Sequence, residues 1–249
     1  MPHRQLNFRP PVLAHRGSRN RAPENTLAAF AAAREDGAEW IETDVKLTSD
    51  GVPILMHDDT LERTTNGHGN VADTSWAEMQ NFDAGSWFSP SFTATRIPTL
   101  AELLSFARAT GMRLNLELKP CPGRARATAM CALIEAAKLW PETALPPLIS
   151  SFDIEALKIA AQLHPGWPRG LLLDEWRDDW RDLVFATNAT TVNIDADILT
   201  PQRLKTLTDF DMPVLAYTVN DPARARELLA GGVRAVFCDD PAAMIKALA

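Results

Sequence analysis

Apolar residues in this chain come in short runs, and helix-like stretches with apolar positions three and four apart separate those runs from one end to the other. Runs near 12–15, 39–45, 113–118, 147–150, 169–173, 190–194, 213–218 and 234–237 predict about eight strands. Strands alternating with helices are the pattern of a parallel α/β sheet. Several helix starts mark themselves. Thr200-Pro201, Asp221-Pro222 and Asp240-Pro241 each join a capping side chain to a proline at the first helical position, and Thr99 to Glu102 reads as a capping box. Eight such units in 249 residues predict a closed (β/α)₈ TIM barrel rather than an open sheet, as a single domain over 1–249. The period breaks once, between about Asp58 and Pro98, where "TTNGHGN" and "DAGSWFSPSF" collect turn formers and aromatics. We assign 59–98 to a small insertion on the barrel rim after the second strand. Trp87 and Phe88 within it are expected to form a satellite core, with ligand contact as the alternative.

The alternation also places chemistry. In "RLNLELK", Leu114, Leu116 and Leu118 point one way, and Arg113, Asn115, Glu117 and Lys119 the other. Leucines facing the helices would turn Glu117 and Lys119 inward near the carboxyl end of the strand, where barrel active sites sit. "WIETDV" repeats the arrangement and puts Trp40, Glu42 and Asp44 on the inner face. Three carboxylates then meet at one mouth and would raise one another's pKa. A hard divalent cation removes that conflict, and all-oxygen ligation suits Mg²⁺ first and Ca²⁺ second. Ser49-Asp50-Gly51 reads as a turn, and an antiparallel return of Val52 to His57 centred on it sets His57 roughly across from Glu42. A one-residue slip would turn His57 to the other face. With His15 on the first strand, two imidazoles flank the acidic group, and Arg16 and Lys119 add fixed positive charge. Three carboxylates, one divalent ion and two cations leave about one positive charge, which a phosphodiester monoanion would neutralise.

Composition narrows the partner. The formal net charge is −7, which argues against a general nucleic-acid binder, so an anion must meet a local positive patch. Cys121, Cys131 and Cys238 are an odd count with no paired spacing. They suggest neither a disulfide framework nor a zinc site, and they fit a reducing cytoplasm. The start "MPHRQLNFRP" lacks the apolar core of a signal peptide, and no apolar run approaches the roughly 18 residues needed to span a bilayer. A cytoplasmic protein with no stable membrane association is expected. His3, His68 and His164 fall in a polar tail or turn-rich loops and are expected to be solvated. "DEWRDDWRD" reads as a solvated helix face from which Trp176 and Trp180 pack inward.

Taken in order and at their intervals, "AHRG", "PENT", "E-T-D", "HDDTLERTT", "E-L-K" and "YTVN" resemble the glycerophosphodiester phosphodiesterase family from about Leu13 to Asp240. The resemblance implies a TIM barrel that hydrolyses glycerophosphodiesters to sn-glycerol 3-phosphate and an alcohol. It implies Glu42, Asp44 and Glu117 as metal ligands, His15 and His57 as the acid/base pair, and Arg16 and Lys119 as phosphate contacts. Tyr217 stands where many members have tryptophan and is read as a wall of the substrate pocket, a role in which the insertion also shares. Three competing readings remain: a sugar isomerase on the same fold, a phospholipase acting on lipid or lysolipid, and a non-catalytic barrel that binds phosphorylated ligands.

Overall fold

Each predicted apolar run becomes a strand whose two faces are read by different neighbours. In the computed structural model, which describes residues 6–249, the barrel strands are β1 (Val12–His15), β2 (Trp40–Leu47), β4 (Arg113–Leu118), β5 (Leu148–Ser151), β6 (Arg169–Leu173), β7 (Thr191–Asp195), β8 (Val214–Tyr217) and β9 (Ala235–Cys238). They are parallel, and β1 pairs with both β9 and β2, which closes the sheet on itself. The helices around them are α1 (Leu27–Glu35), α3 (Leu100–Thr110), α4 (Ala125–Leu139), α5 (Ile154–Leu163), α6 (Trp180–Thr187), α7 (Pro201–Thr208), α8 (Pro222–Ala230) and α9 (Pro241–Leu248). Outward residues such as Ile41, Leu114, Leu116 and Ile149 pack against Leu103, Leu104, Leu133 and Ile159 of the helices. The predicted phase of β4 therefore holds. Predicted helix starts hold as well. Thr200, Asp221 and Asp240 accept from backbone N–H groups of their first turns, and Thr99 and Glu102 form a reciprocal capping box. Each cap is worth about 1 kcal/mol.

The barrel interior is layered. Leu13, Trp40, Leu148, Leu215, Ala235 and Phe237 fill the amino end, and Phe8 packs on Trp40 with the two rings tilted by 38° and their centroids 4.8 Å apart. A polar layer follows, in which the Asn115 side chain donates to Ser150 Oγ at 2.7 Å. With apolar filling below, Glu42, Asp44 and Glu117 gather above at the carboxyl end, the side on which barrel sites are built.

The insertion holds one helical turn, α2 (Trp76–Met79), and two 3₁₀ turns, Val71–Asp73 and Pro90–Phe92. Leu61, Val71, Met79, Ala84 and Ile97 form its own small core against Ile54 and Met56. Trp87, Phe88 and Phe92 pack edge to face on its rim.

Three local expectations need correction. The return strand β3 (Pro53–Leu55) pairs Val45 with Leu55 and Leu47 with Pro53, so the hairpin centres on Asp50 and the position across from His57 is Thr43, not Glu42. The closure of the Ser49–Gly51 turn fixes this register: Thr48 and Val52 exchange hydrogen bonds, and Gly51 closes it at φ +88°. Trp176 precedes α6 rather than lying on it. Trp180 alone is helical and fully buried, while Trp176 sits beneath Arg203. His164 is half-buried and stacked on Trp167 at 4.6 Å instead of being solvated. His68 is exposed as expected, and His3 lies outside the described residues.

Candidate active site

Parallel register brings the predicted carboxylates to one level. His15 pairs with Glu42 across β1 and β2, and Asp44 pairs with Glu117 across β2 and β4. One oxygen from each of Glu42, Asp44 and Glu117 lies within 4.8 Å of the others, and all three side chains are buried. Burial pushes Glu42 well above the usual carboxylate range, and the charges of Asp44 and Glu117 push it further. Burial beside Asp44 likewise raises Glu117 to about 7. For Asp44 burial acts upward too, but the charges of Arg16, Lys119 and His57 and a hydrogen bond from Asn25 hold it below the usual range. Glu42 Oε1 is buried with no hydrogen-bond partner. An orphaned carboxylate oxygen facing two more carboxylates fits a hard divalent cation, and the donor set is all oxygen.

The loop from Arg16 to Thr26 holds the cations. Arg16 and Asn25 adopt left-handed backbone at φ 60° and 56°, stabilised by the Asn25 N–H donating to the Arg16 carbonyl at 3.0 Å. The Arg16 N–H donates to the Glu42 carbonyl at 2.9 Å and faces Glu42 Oε2 at 3.1 Å. Its guanidinium donates to Glu24 at 2.9 Å and lies 3.1 Å from Asp44. Asn25 locks the ligand strand: its amide donates to Asp44 Oδ2 at 2.9 Å while its Oδ1 accepts from the Thr43 hydroxyl at 2.7 Å. Thr26 then caps α1 by accepting from the Ala29 N–H. Opposite this loop, Lys119 donates to Glu117 at 2.9 Å and sits 3.4 Å from Asp44. The Lys119 ammonium also lies over the Phe152 ring, 5.5 Å from its centroid.

Both histidines are anchored by the same device. His15 Nδ1 meets Asp239 at 2.8 Å, and His57 Nδ1 meets Asp58 at 2.6 Å. An Nδ1–H donated to a carboxylate fixes the tautomer and leaves Nε2 for proton transfer. Burial lowers the pKa of both rings, and the positive charge of Arg16 adds to the effect at each. His57 reaches the acidic group despite the corrected register, because β3 ends at Leu55 and the chain leaves the ladder before residue 57. Asp44 acts on its charge directly.

Tyr217 forms a wall of the mouth. Its ring packs edge-on against Phe152 and Phe237, and its hydroxyl donates to the Leu173 carbonyl at 2.8 Å. A cavity of about 270 Å³ opens beside Glu117 and Lys119, bounded by Pro120, Ser151, Phe152 and Asp153. All eight residues singled out from the sequence therefore stand at the carboxyl end of the barrel. Sequence reasoning missed Asp58, Asp239, Arg19, Arg63 and Phe152. Asp58 and Arg63 sit inside a motif it had quoted, whereas nothing local ties Asp239 to His15.

The fold is that of a TIM-barrel enzyme, with ionisable side chains gathered at the carboxyl mouth. The glycerophosphoryl diester phosphodiesterase family model matches residues 15–243, and the chain belongs to that family. It is 32% identical over 243 residues to the glycerophosphodiester phosphodiesterase of Caldanaerobacter subterraneus subsp. tengcongensis, covering 94% of this chain and 96% of that one. A glycerophosphodiester phosphodiesterase of Bacillus subtilis is 30% identical over 250 residues, covering 92% of this chain and 83% of the relative. Among solved structures, an Oleispira antarctica phosphodiesterase in complex with the product sn-glycerol-3-phosphate superimposes with a TM-score of 0.92 at 38% identity, covering 95% of this chain and 96% of that one.

Proposed function

We propose that this protein hydrolyses glycerophosphodiesters to sn-glycerol 3-phosphate and an alcohol, with Glu42, Asp44 and Glu117 holding a divalent metal, Mg²⁺ before Ca²⁺. The observation that carries the reading is the meeting, at one barrel mouth, of three mutually close carboxylates, two cations and two imidazoles each tied through Nδ1. The metal would polarise the phosphoryl oxygens and stabilise charge that develops on them in the transition state. Arg16 and Lys119 orient the phosphodiester through its non-bridging oxygens. His15 Nε2 takes the proton from the attacking hydroxyl: water would give glycerol 3-phosphate directly, and the substrate's own glycerol 2-hydroxyl would give a cyclic phosphate that a water then opens to glycerol 3-phosphate. The bond from phosphorus to the alcohol oxygen breaks, and His57 Nε2 gives its proton to the departing alkoxide. Asp58 stabilises the His57 imidazolium that this requires, and His57 is the more exposed ring at 29% against 14% for His15. Tyr217 and Phe152 would wall the pocket for the organic part of the substrate.

The charge pattern supports this over a sugar isomerase, which has no use for Arg16 and Lys119 paired to the ligand Asp44. The three cysteines are unpaired, which supports a reducing compartment such as the cytoplasm, and among the described residues no helix is long and apolar enough to cross a membrane. The test is glycerol 3-phosphate release from glycerophosphocholine and glycerophosphoethanolamine, with and without EDTA. Activity abolished by EDTA and restored by Mg²⁺ or Ca²⁺ is expected. Release untouched by EDTA would remove the metal, and no release from any glycerophosphodiester would remove the substrate class.

A further inference from the structure

Glu24 is bonded to three arginines at the mouth, one of which, Arg16, would itself touch a phosphodiester. Its side chain is 3% exposed. Arg63 grips it with two hydrogen bonds, at 3.0 and 2.8 Å, and Arg19 adds a third at 3.0 Å and Arg16 a fourth at 2.9 Å. Burial raises its pKa, but the hydrogen bond from Arg63 and the charges of the three guanidiniums outweigh that and hold it at about 2. Two of these arginines continue to a histidine. Arg63 donates to Asp58 through Nε at 2.5 Å and Nη2 at 3.0 Å, and Asp58 holds His57 Nδ1. Arg19 donates at 3.2 Å to Asp239, which holds His15 Nδ1 and is itself fixed by the Asn220 amide at 2.8 Å.

We propose that Glu24 is a positioning residue that sets both imidazoles at once, through Arg19 and Asp239 on one arm and Arg63 and Asp58 on the other. The inference rests on the reading of His15 and His57 as the proton-transfer pair. Two protons move on opposite sides of one phosphorus, so the two Nε2 atoms must keep a fixed relation to each other as well as to the substrate. Loops far apart in the chain carry the two aspartates, one after β3 and one after β9. One buried carboxylate shared by both guanidiniums converts two independent loop positions into one. The planar fork of arginine suits the task, because it bonds a carboxylate on each edge in fixed geometry. A role confined to folding the 16–26 loop would require only the contacts to Arg16 and Arg19, and neither the grip of Arg63 nor the onward bonds of Arg19 and Arg63 to Asp239 and Asp58.

The two roles separate by nuclear magnetic resonance of the histidine ring Nδ1–H protons, which are held on carboxylates and report each arm without turnover. In ¹⁵N-histidine-labelled protein, Arg63→Ala is expected to move the His57 ring signal alone, and Arg19→Ala the His15 signal alone. Glu24→Gln should move both. Each single-arm variant should lower kcat about 10–100-fold, the cost of a misplaced catalytic group, while KM for glycerophosphocholine changes less than about threefold. Glu24→Gln leaving either ring signal in place would overturn the proposal, as would a loss of kcat with both rings unmoved. Should Glu24→Gln fail to fold, the arginine variants decide: either one moving both signals, or neither moving any, removes the two-arm arrangement. Wild-type protein that shows the predicted ring shifts in its variants but releases no glycerol 3-phosphate would refute the assigned reaction and leave the positioning intact.

Discussion

Gly17 offers a test of how tightly the loop after β1 is clamped. It follows Arg16, has φ +86°, and a Cβ placed on it would lie 2.6 Å from Ala29 Cβ, 2.7 Å from Ala29 C and 2.8 Å from Ala29 O. Two of those atoms are backbone of the first turn of α1, which the Thr26 cap and the Ser18 N–H donating to Ala29 O hold in place. Gly51 is a natural control. Its φ is +88°, and an added Cβ meets nothing within 4 Å. Gly51→Ala should therefore cost only the left-handed backbone term, about 1–2 kcal/mol. Gly17→Ala carries the same term plus an overpacking term of about 1–3 kcal/mol. The gain from a stiffer unfolded chain is common to both and cancels in the comparison. Urea unfolding should rank Gly17→Ala about 1–3 kcal/mol below Gly51→Ala. In thermal scans the melting temperature should be lower by a further 2–4 °C, roughly, for each kcal/mol of that difference. Because α1 and the 16–26 loop shift together, kcat/KM for glycerophosphocholine should fall for Gly17→Ala and stay near wild type for Gly51→Ala. Equal destabilisation of the two variants would show that α1 yields without cost, and the clamp would be no part of the site's rigidity.

His57→Ala should cripple cleavage of glycerophosphocholine, whose alkoxide leaves poorly, by about 10²–10⁴ in rate, yet spare a glycerol phosphodiester with a p-nitrophenyl leaving group; His15→Ala should damage both substrates alike. Equal losses for His57→Ala would remove its general-acid role, and a rescue seen with His15→Ala instead would exchange the two assignments. Lys119→Ala should lower catalysis more than stability, whereas Leu116→Ala, at 2% exposure between β4 and the helices, should cost about 2–5 kcal/mol by leaving a cavity. Exchanged phenotypes in activity and urea assays would contradict that phase. Glu24 is lowered in the fold from 4.5 to about 2, so its ion pairs contribute fully above pH 4.5 and are lost as pH falls towards 2. Comparison of Glu24→Gln with wild type by urea unfolding should show a wild-type advantage of about 3 kcal/mol at neutral pH that vanishes near pH 2. An advantage independent of pH would show that the carboxylate charge is not what stabilises the loop.

The sequence alone determined what depends on near neighbours. Strand phase is a matter of alternation over a few residues, so Leu114, Leu116 and Leu118 were assignable to the helix side and Glu42, Asp44 and Glu117 to the interior. Helix starts were legible for the same reason, since Thr99, Thr200, Asp221 and Asp240 each cap within their own first turn. Eight repeats of the strand–helix unit then fixed the barrel, because right-handed crossovers leave few ways to arrange them. Tertiary structure decided what depends on closure and on turn geometry. The hairpin register, with Thr43 across from His57, was decided by how the loop closes between Thr48 and Val52, a pairing that alternation on either side does not reveal. The partner of His15 is Asp239, 224 residues away, and only the pairing of β1 with β9 brings them together. The grip of Arg63 on Glu24 likewise arises only because the insertion folds down onto the 16–26 loop, which itself supplies Glu24, Arg16 and Arg19. A residue's face is set by the backbone around it, whereas its partner across the mouth is set by how the whole ring closes.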